Sequence, residues 1–137
     1  MLVRGGVERF MEFDYVGAPW IRNPSNNFLL ASSIPLLVGN GGLSLRSCRV
    51  MEKVCKDHAA ESKELFSILP QQVPEDVFFS RFVYKDGYKV CGEEEAKEFA
   101  TEQVINVNSV GFHKFWPYHM APAVLEFFEE VLKMKMV

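Results

Sequence analysis

Apolar spacing and the residues at segment ends predict four helices along the chain. The predicted helices are residues 47–60, 74–86, 93–99 and 121–136. Pro74, followed by two acidic residues, suits a helix start, and Gly87 is a typical stop. Three glutamates open the third helix and lysines lie near the end of the fourth, as the helix dipole favours.

The same spacing predicts which faces of the first and last helices are buried. In the first helix the apolar face is Val50, Met51, Val54 and Cys55. In the last helix it is Val124, Leu125, Phe128, Val131 and Leu132. Ser47 is placed to cap the first helix, Cys48 is expected to pack, and His58 is expected to lie at the surface.

The strands between these helices are predicted to be few and short. One strand is expected near residues 15–18, one follows the glycine-rich turn within residues 36–45, and alternation predicts another over 103–108. Pro19 and Pro24 are expected to stop regular structure. The chain is therefore predicted to be mixed α/β, with too few strands for a complete sheet of about five.

Composition narrows the class of protein. The 137 residues are 48% hydrophobic and 24% charged, which excludes a disordered chain. The net charge of −3 argues against broad binding of nucleic acid. Twelve phenylalanines indicate a dense core or one completed by more protein, so we expect an exposed apolar surface and self-association.

The cysteines and the apolar runs bear on location. Three cysteines without a CxxC pair argue against a disulfide framework and a structural zinc site, which favours the cytoplasm or another reducing compartment. The N-terminus lacks the apolar run of a signal peptide. The longest apolar stretch, residues 28–38, is interrupted and too short to cross a bilayer, so no membrane segment is expected.

Four segments carry candidate chemistry. They are DYVGAPW at 14–20, GNGGLSLRS at 39–47, PEDVFFS at 74–80 and GFHK at 111–114. In this order they resemble a family of uncharacterised glycosyltransferase-like domains of the GT-A fold, which act as nucleotide-sugar transferases. The pairing of a GxGG turn with a downstream Glu-Asp is more distantly similar to the acceptor half of galactosyltransferases. The resemblance covers residues from about 10 to about 116.

The resemblance implies that residues 1–137 form one partial domain, the C-terminal half of a GT-A-like fold with a mixed short sheet flanked by helices. In that fold an upstream half binds the nucleotide, and an Asp-x-Asp-like motif at its end holds the metal. Asp14 has no second carboxylate at the required spacing. The nucleotide-binding half is therefore expected to be absent from this chain.

The glycine-rich turn is the first candidate site. Its glycines permit positive φ and close approach of a ligand, so a sugar ring can lie against Asn40, Gly41 and Gly42. The alternative is a plain tight turn before a strand. The spacing fits neither a P-loop nor a dinucleotide-binding turn.

Glu75 and Asp76 form the second candidate site, at a helix N-terminus whose dipole favours ionised acids. The resemblance implies that Asp76 is the base that takes the proton of the acceptor hydroxyl in an inverting transfer. It gives Glu75 the part of orienting acceptor hydroxyls. The alternative for both residues is an ordinary helix start.

His113 is the third candidate, because a late histidine often completes the metal coordination in GT-A enzymes. The resemblance implies a divalent ion, Mn²⁺ or Mg²⁺, with Lys114 helping to neutralise phosphate. The alternative is a loop or capping histidine. Arg46 is a candidate for a diphosphate or carboxylate, or a solvated residue at a helix start. The aromatic residues that suit stacking on sugars are Trp20, Trp116 and Tyr118, of which at least one is expected in the core.

Two classes of function follow. The first is the acceptor-side, catalytic part of a metal-dependent, inverting nucleotide-sugar transferase, which acts on a glycan or another hydroxyl acceptor. The second is a truncated or degenerate relative without catalysis, which binds a glycan or a protein. If the turn at 39–44 and the acids at 75–76 act on one acceptor, they must converge in space.

Overall fold

The computed structural model describes residues 6–21, 38–40, 42–68 and 74–135. The strands are β1 (Tyr15–Val16), β2 (Ala18–Pro19), β3 (Val38–Gly39), β4 (Leu45–Arg46), β5 (Ala100–Thr101) and β6 (Gly111–Phe112). The α-helices are α1 (Cys48–Asp57), α2 (Ala59–Ile68), α3 (Glu75–Lys85), α4 (Glu93–Phe99) and α5 (Ala121–Lys135), and 3₁₀ helices span Val7–Phe10 and Trp116–Tyr118. The predicted mixed α/β class with short strands is confirmed.

The described strands pair two by two. β1 runs antiparallel to β4 with Tyr15 opposite Arg46, and β2 runs antiparallel to β3 with Ala18 opposite Gly39. β5 runs parallel to β6, with Thr101 opposite Phe112. Because parallel strands have their carboxyl ends at the same edge, the residues that follow β5 and β6 lie side by side.

Most of the buried residues form one core between the strands and helices α1, α3 and α4. Its members are Phe10, Tyr15, Val16, Ala18, Val38, Val50, Met51, Val54, Phe82, Val83, Cys91, Ala96, Phe99, Ala100 and Val110. The buried Ser80 hydroxyl donates a hydrogen bond to the Val38 carbonyl at 2.6 Å. This bond fixes α3 against β3, the strand that leads into the glycine-rich turn.

Helix α5 packs on a second, smaller core, and its buried face matches the prediction only in part: Val131 is buried and Val124 packs against this core, as predicted. Phe127 and Val131 are buried against Phe115, whereas Leu125 and Leu132 are 64% and 61% exposed. The helix is apolar on more than one side, so the tertiary contact with Phe115 decides which side is buried. An apolar surface is exposed as expected, but it lies on this helix.

The predicted helix over 47–60 is two helices. α1 ends at Asp57, His58 is a turn residue, and α2 begins at Ala59. Cys48 and Cys55 are exposed, so the prediction that they pack is wrong. Ser47 occupies the N-cap position but makes no side-chain capping hydrogen bond.

The other helix predictions agree closely with the structure, because caps and breakers are local signals. α3 follows Pro74, although this proline is the N-cap residue, and Gly87 adopts a φ of +78° just after the helix. α4 has the predicted bounds. Pro19 lies within β2, where it was expected to stop regular structure, and Pro24 lies outside the described residues.

The strand predicted over 103–108 is wrong, since these residues form an irregular loop. The Thr101 hydroxyl donates to the Asn106 carbonyl and accepts from the Asn106 N–H, both at 2.9 Å. The Asn106 side-chain amide donates to the Lys97 carbonyl at 2.9 Å. These polar side chains satisfy backbone groups that a strand would have paired.

None of the described helices is long and apolar enough to cross a membrane.

His58 is buried at 8% exposure, which corrects its expected surface position. Its ring stacks on Phe82 with centroids 4.1 Å apart. Nδ1 contacts the Glu61 carboxylate, which also binds Lys85, and Nε2 lies 2.9 Å from Asp86 Oδ2. Burial disfavours the charged imidazole, but the carboxylates of Glu61 and Asp86 outweigh it and raise the pKa of His58. The cluster joins the α1–α2 junction to the end of α3.

The stability of the fold is expected to fall as pH rises above about 6.5, the ordinary histidine pKa. The folded state binds the His58 proton more tightly than the unfolded chain, because its pKa is raised. The stabilisation is complete below the unfolded pKa and is lost as pH rises through the folded pKa, with a slope of at most about 1.4 kcal/mol per pH unit. Urea unfolding across this range measures it. His58→Gln should reduce this slope, and a slope equal to that of the wild type would contradict the assignment.

Candidate functional site

The structure brings the glycine-rich turn and the start of α3 together around the buried Tyr15. The Tyr15 hydroxyl donates a hydrogen bond to the Asp76 carbonyl at 3.5 Å. It also forms a hydrogen bond with the backbone of Asn40. Burial, the first of several causes, raises the pKa of this phenol well above its ordinary value. Tyr15 is therefore a neutral donor that ties the turn to the helix start, as convergence of the two segments requires.

The buried side chain of Asn40 stabilises the turn through hydrogen bonds to its backbone. It is 2% exposed, and its Oδ1 accepts hydrogen bonds from the N–H of Gly42 at 2.8 Å and of Leu43 at 3.3 Å. Such a side-chain-to-backbone pair replaces a backbone turn bond. The Asn40 side-chain Nδ2 is buried and has no hydrogen-bond partner in the described part of the chain. Gly41 lies outside the described residues.

The described glycines of the turn are required for space, and neither adopts a positive φ. A Cβ on Gly39 would lie 1.9 Å from the Trp20 ring, and one on Gly42 would lie 2.1 Å from the His113 ring. Each glycine therefore seats an aromatic side chain directly against the backbone. The expectation that ligand approach or positive φ explains these glycines is replaced by ring packing at both positions.

Gly42→Ala is expected to displace the His113 imidazole, because the new methyl group would occupy the volume of the ring. The loss of stability should be small, about 1–3 kcal/mol, since the half-exposed ring can move into solvent. Histidine ring signals in NMR spectra measure the displacement. Gly92→Ala is the control, because its Cβ meets only the flexible end of Glu95. An unmoved His113 ring in Gly42→Ala would contradict the packing described above.

Arg46 links the two sides of the site. Its guanidinium lies 3.3 Å from Glu75 Oε1 and over the rings of Tyr15 and Phe79, at 5.6 and 5.1 Å from their centroids. Arg46 belongs to β4, and its side chain is only 21% exposed, which corrects its description as a solvated residue at a helix start. The exposed Glu75 carboxylate contributes little to stability, so this pair mainly orients both side chains.

Asp76 lies at the first turn of α3, where its Oδ1 accepts the Val77 N–H at 2.9 Å. Burial and the neighbouring Glu75 raise the pKa of Asp76, although two backbone hydrogen bonds and Arg46 oppose the change. The helix dipole was expected to keep this acid strongly ionised. A raised pKa instead makes the ionised carboxylate a better proton acceptor near neutral pH.

Glu102 is a site residue that the sequence analysis missed. It follows β5, is 9% exposed, and has a pKa raised to about 7 by burial and by the charge of Asp76. Two acids with perturbed pKa values near each other are typical of functional sites. No sequence signal marks it, because its burial and the strand that it follows are features of the folded structure.

His113 follows β6 and lies beside Glu102, with 3.9 Å between Nδ1 and Oε1. Lys114 is exposed and adopts a φ of +44°, a conformation that a non-glycine residue rarely takes. Trp116 and Tyr118 are exposed on the second 3₁₀ helix, whereas Trp20 is half-buried against Gly39.

The residues of the candidate site supply only part of the ligand set that a metal ion requires. Within the described ranges, no group of three or more His, Cys, Asp or Glu side chains is arranged to hold an ion. His113 and Glu102 form a pair of suitable chemistry, with a nitrogen and an oxygen donor 3.9 Å apart. Labile divalent ions normally need more donors than this pair supplies.

Unpaired polar atoms concentrate at this site. Four buried side-chain nitrogens in the described part of the chain lack a hydrogen-bond partner: Asn40 Nδ2, Arg46 Nε, Arg81 Nε and His113 Nδ1. Three of them belong to residues that the sequence analysis assigned to substrate or metal. Buried polar atoms are rarely left unpaired in native proteins, so each of these nitrogens requires a partner, which a bound water or a ligand oxygen can supply.

Comparison with known proteins gives one result. The family model described as "Protein of unknown function (DUF5672)" matches residues 1–113, most of the chain. The chain belongs to the DUF5672 family. No curated protein and no solved structure matches it.

The DUF5672 match contains almost all of the candidate site. His113 is the last matched residue, while Lys114, the exposed 3₁₀ helix and α5 follow the matched region. The site described above is therefore a feature of the DUF5672 region, whereas the second core around Phe115 is built from residues outside it, together with Phe112 and the loop before it.

Proposed function

We propose that this chain is the acceptor-side, catalytic part of a metal-dependent, inverting nucleotide-sugar transferase, folded as the C-terminal half of a GT-A-like domain. The observation that carries the proposal is the pair of buried, unpaired nitrogens Asn40 Nδ2 and Arg46 Nε, which lie near two acids of raised pKa. A sugar with its hydroxyl groups, or a diphosphate, supplies the acceptor oxygens that these donors need. The four motifs in order support the same class of reaction.

Asp76 acts as the general base. Its carboxylate takes the proton of an acceptor hydroxyl while that oxygen forms a bond to the anomeric carbon of the donor sugar. The bond from the anomeric carbon to the phosphate oxygen breaks on the opposite face, and its electron pair leaves with the nucleoside diphosphate. Glu75, held by Arg46, accepts hydrogen bonds from other hydroxyl groups of the acceptor. Asn40 and Trp20 complete the sugar-binding surface.

The diphosphate side of the site is assigned to Lys114 and His113. Lys114 contributes positive charge, and His113 contributes one ligand to a divalent ion, Mn²⁺ or Mg²⁺. When bound, such an ion stabilises the charge that develops on the leaving diphosphate.

A second candidate function is a binding module without catalysis. The apolar surface exposed beside the site favours it, because a surface of this kind typically contacts another protein or a second copy of the chain. Its members are Trp116, Tyr118, Met120, Leu125, Phe128 and Leu132. The same surface supports the proposed self-association. The three free cysteines support a reducing compartment.

Transfer and hydrolysis assays with a panel of nucleotide sugars, with and without Mn²⁺, test the proposal. The 137-residue chain alone should turn over slowly or not at all, because one imidazole and one carboxylate hold an ion poorly. A longer protein that adds an upstream half with an acidic pair should show Mn²⁺-dependent transfer. Transfer that is robust in the chain alone would contradict the half-domain assignment, and an inactive longer protein would favour the binding module.

A further inference from the structure

The His113 ring is held from two directions. One face of the ring packs against Gly42, since a Cβ added there would lie 2.1 to 2.3 Å from Cε1, Nε2 and Cδ2 together. Its Nδ1 is buried without a hydrogen-bond partner and lies 3.9 Å from Glu102 Oε1. Side-chain exposure of 37% therefore comes from the rest of the ring.

The backbone fixes Glu102 in this position. The His113 N–H donates to the Thr101 carbonyl at 3.2 Å, which continues the parallel pairing of β5 and β6. The Glu102 carbonyl accepts a hydrogen bond from His119 Nε2 at 2.8 Å. The carboxylate is therefore attached to a backbone held on both sides, and the strand register sets its distance from the imidazole.

We propose that Glu102 is a positioning residue that holds His113 with its proton on Nδ1 and leaves the Nε2 lone pair available to a ligand. A buried carboxylate needs a donor, and His113 is the one ion-pair partner found for Glu102 among the described residues. A carboxylate that accepts from one ring nitrogen fixes the tautomer and orientation of the imidazole. The chemical nature of the ligand at Nε2 rests on the proposed function. The tautomer of His113 is inferred independently of that function.

The backbone after His113 supports a specified orientation of the ring. Lys114 adopts a φ of +44°, in the left-handed region that is strained for a non-glycine residue. Strain of this kind persists where the surrounding structure imposes it and is concentrated at functional sites.

NMR of the chain labelled with ¹⁵N at histidine tests the proposal through the shifts of the two ring nitrogens. At pH 8.5 the Glu102 carboxyl group, with a pKa of about 7, is mainly ionised. The form protonated on Nδ1 should be the majority in the wild type and the minority in Glu102→Met, which keeps the volume but accepts no hydrogen bond. Glu98→Gln, at an exposed glutamate of α4, should match the wild type.

The wild-type spectrum alone decides the central point, so a misfolded variant does not weaken the test. A wild-type ring with its proton mainly on Nε2 overturns the proposal, as does an identical tautomer in Glu102→Met. Titration with Mn²⁺ separates the two assignments. If His113 binds the ion, its signals should broaden at about 10–100-fold lower Mn²⁺ in the wild type than in Glu102→Met. A tautomer that depends on Glu102 without such broadening supports the positioning role and removes only the metal assignment of His113.

Discussion

Asp76→Asn is expected to lower sugar transfer by about 10²–10⁴-fold in any protein that carries this chain and transfers sugar. The amide has nearly the shape of the carboxylate, and its oxygen can still accept the Val77 N–H that caps the first turn of α3. The substitution therefore removes the proton acceptor and leaves the fold in place. Donor affinity should stay nearly unchanged, because the base acts on the acceptor.

The pH profile sharpens this prediction. Burial raises the pKa of Asp76, and only the ionised carboxylate can take a proton, so the transfer rate should rise with pH through that pKa. Asp76→Asn should lack this rise. Asp57→Asn, on the exposed side of α1, is the matched control and should behave as the wild type. Unchanged transfer in Asp76→Asn would remove Asp76 as the base.

Phe115→Ala should have the largest effect on stability, a loss of about 3–5 kcal/mol. Phe115 is fully buried and lies at the centre of the second core, with its ring 4.5 Å from that of Phe127 and 5.7 Å from that of Phe112. Its removal leaves a cavity between the end of β6 and α5. Chemical unfolding measures the change in free energy.

Phe128→Ala is the matched control, because the Phe128 ring also lies near that of Phe115, at 5.7 Å, but Phe128 is 37% exposed. Its loss removes part of an aromatic contact and leaves no closed cavity, so the cost should be well below that of Phe115→Ala. Equal costs for the two substitutions would show that the buried face of α5 is not the one formed by Phe127 and Val131.

Local signals in the sequence were enough to predict several elements. The ends of α3 are marked by Pro74, the acids after it and Gly87, and the start of α4 is marked by the glutamates at 93–95. Caps and breakers act within one turn of the chain, so they can be read locally. The prediction of a strand over 103–108 was wrong, because the side chains of Thr101 and Asn106 form hydrogen bonds with backbone groups there. The buried face of α5 was predicted only in part, because the tertiary contact with Phe115 decides which side of the helix is buried.

The residues of the candidate site also fall into two groups, those that the sequence predicts and those that it does not. The turn, the acids of α3 and His113 were found as short motifs, and the structure brings them together. Glu102, Tyr15 and the partners of His58 were missed, because their contacts join residues that are far apart in the chain or in separate elements. A buried glutamate and a surface glutamate look alike in one sequence, and only the packing of β5 against β6 separates them.

The most direct test of the account follows the Asn40 side-chain amide by NMR while the chain is titrated with nucleotide sugars and Mg²⁺, and separately with sugar acceptors. Because Asn40 Nδ2 is buried without a partner, a ligand oxygen that binds it should shift both amide proton signals, together with signals of His113 and the start of α3. Joint shifts of these three regions are the predicted result. Saturating ligand that leaves the Asn40 amide unmoved, or shifts confined to the apolar surface of α5, would contradict the assignment of this site.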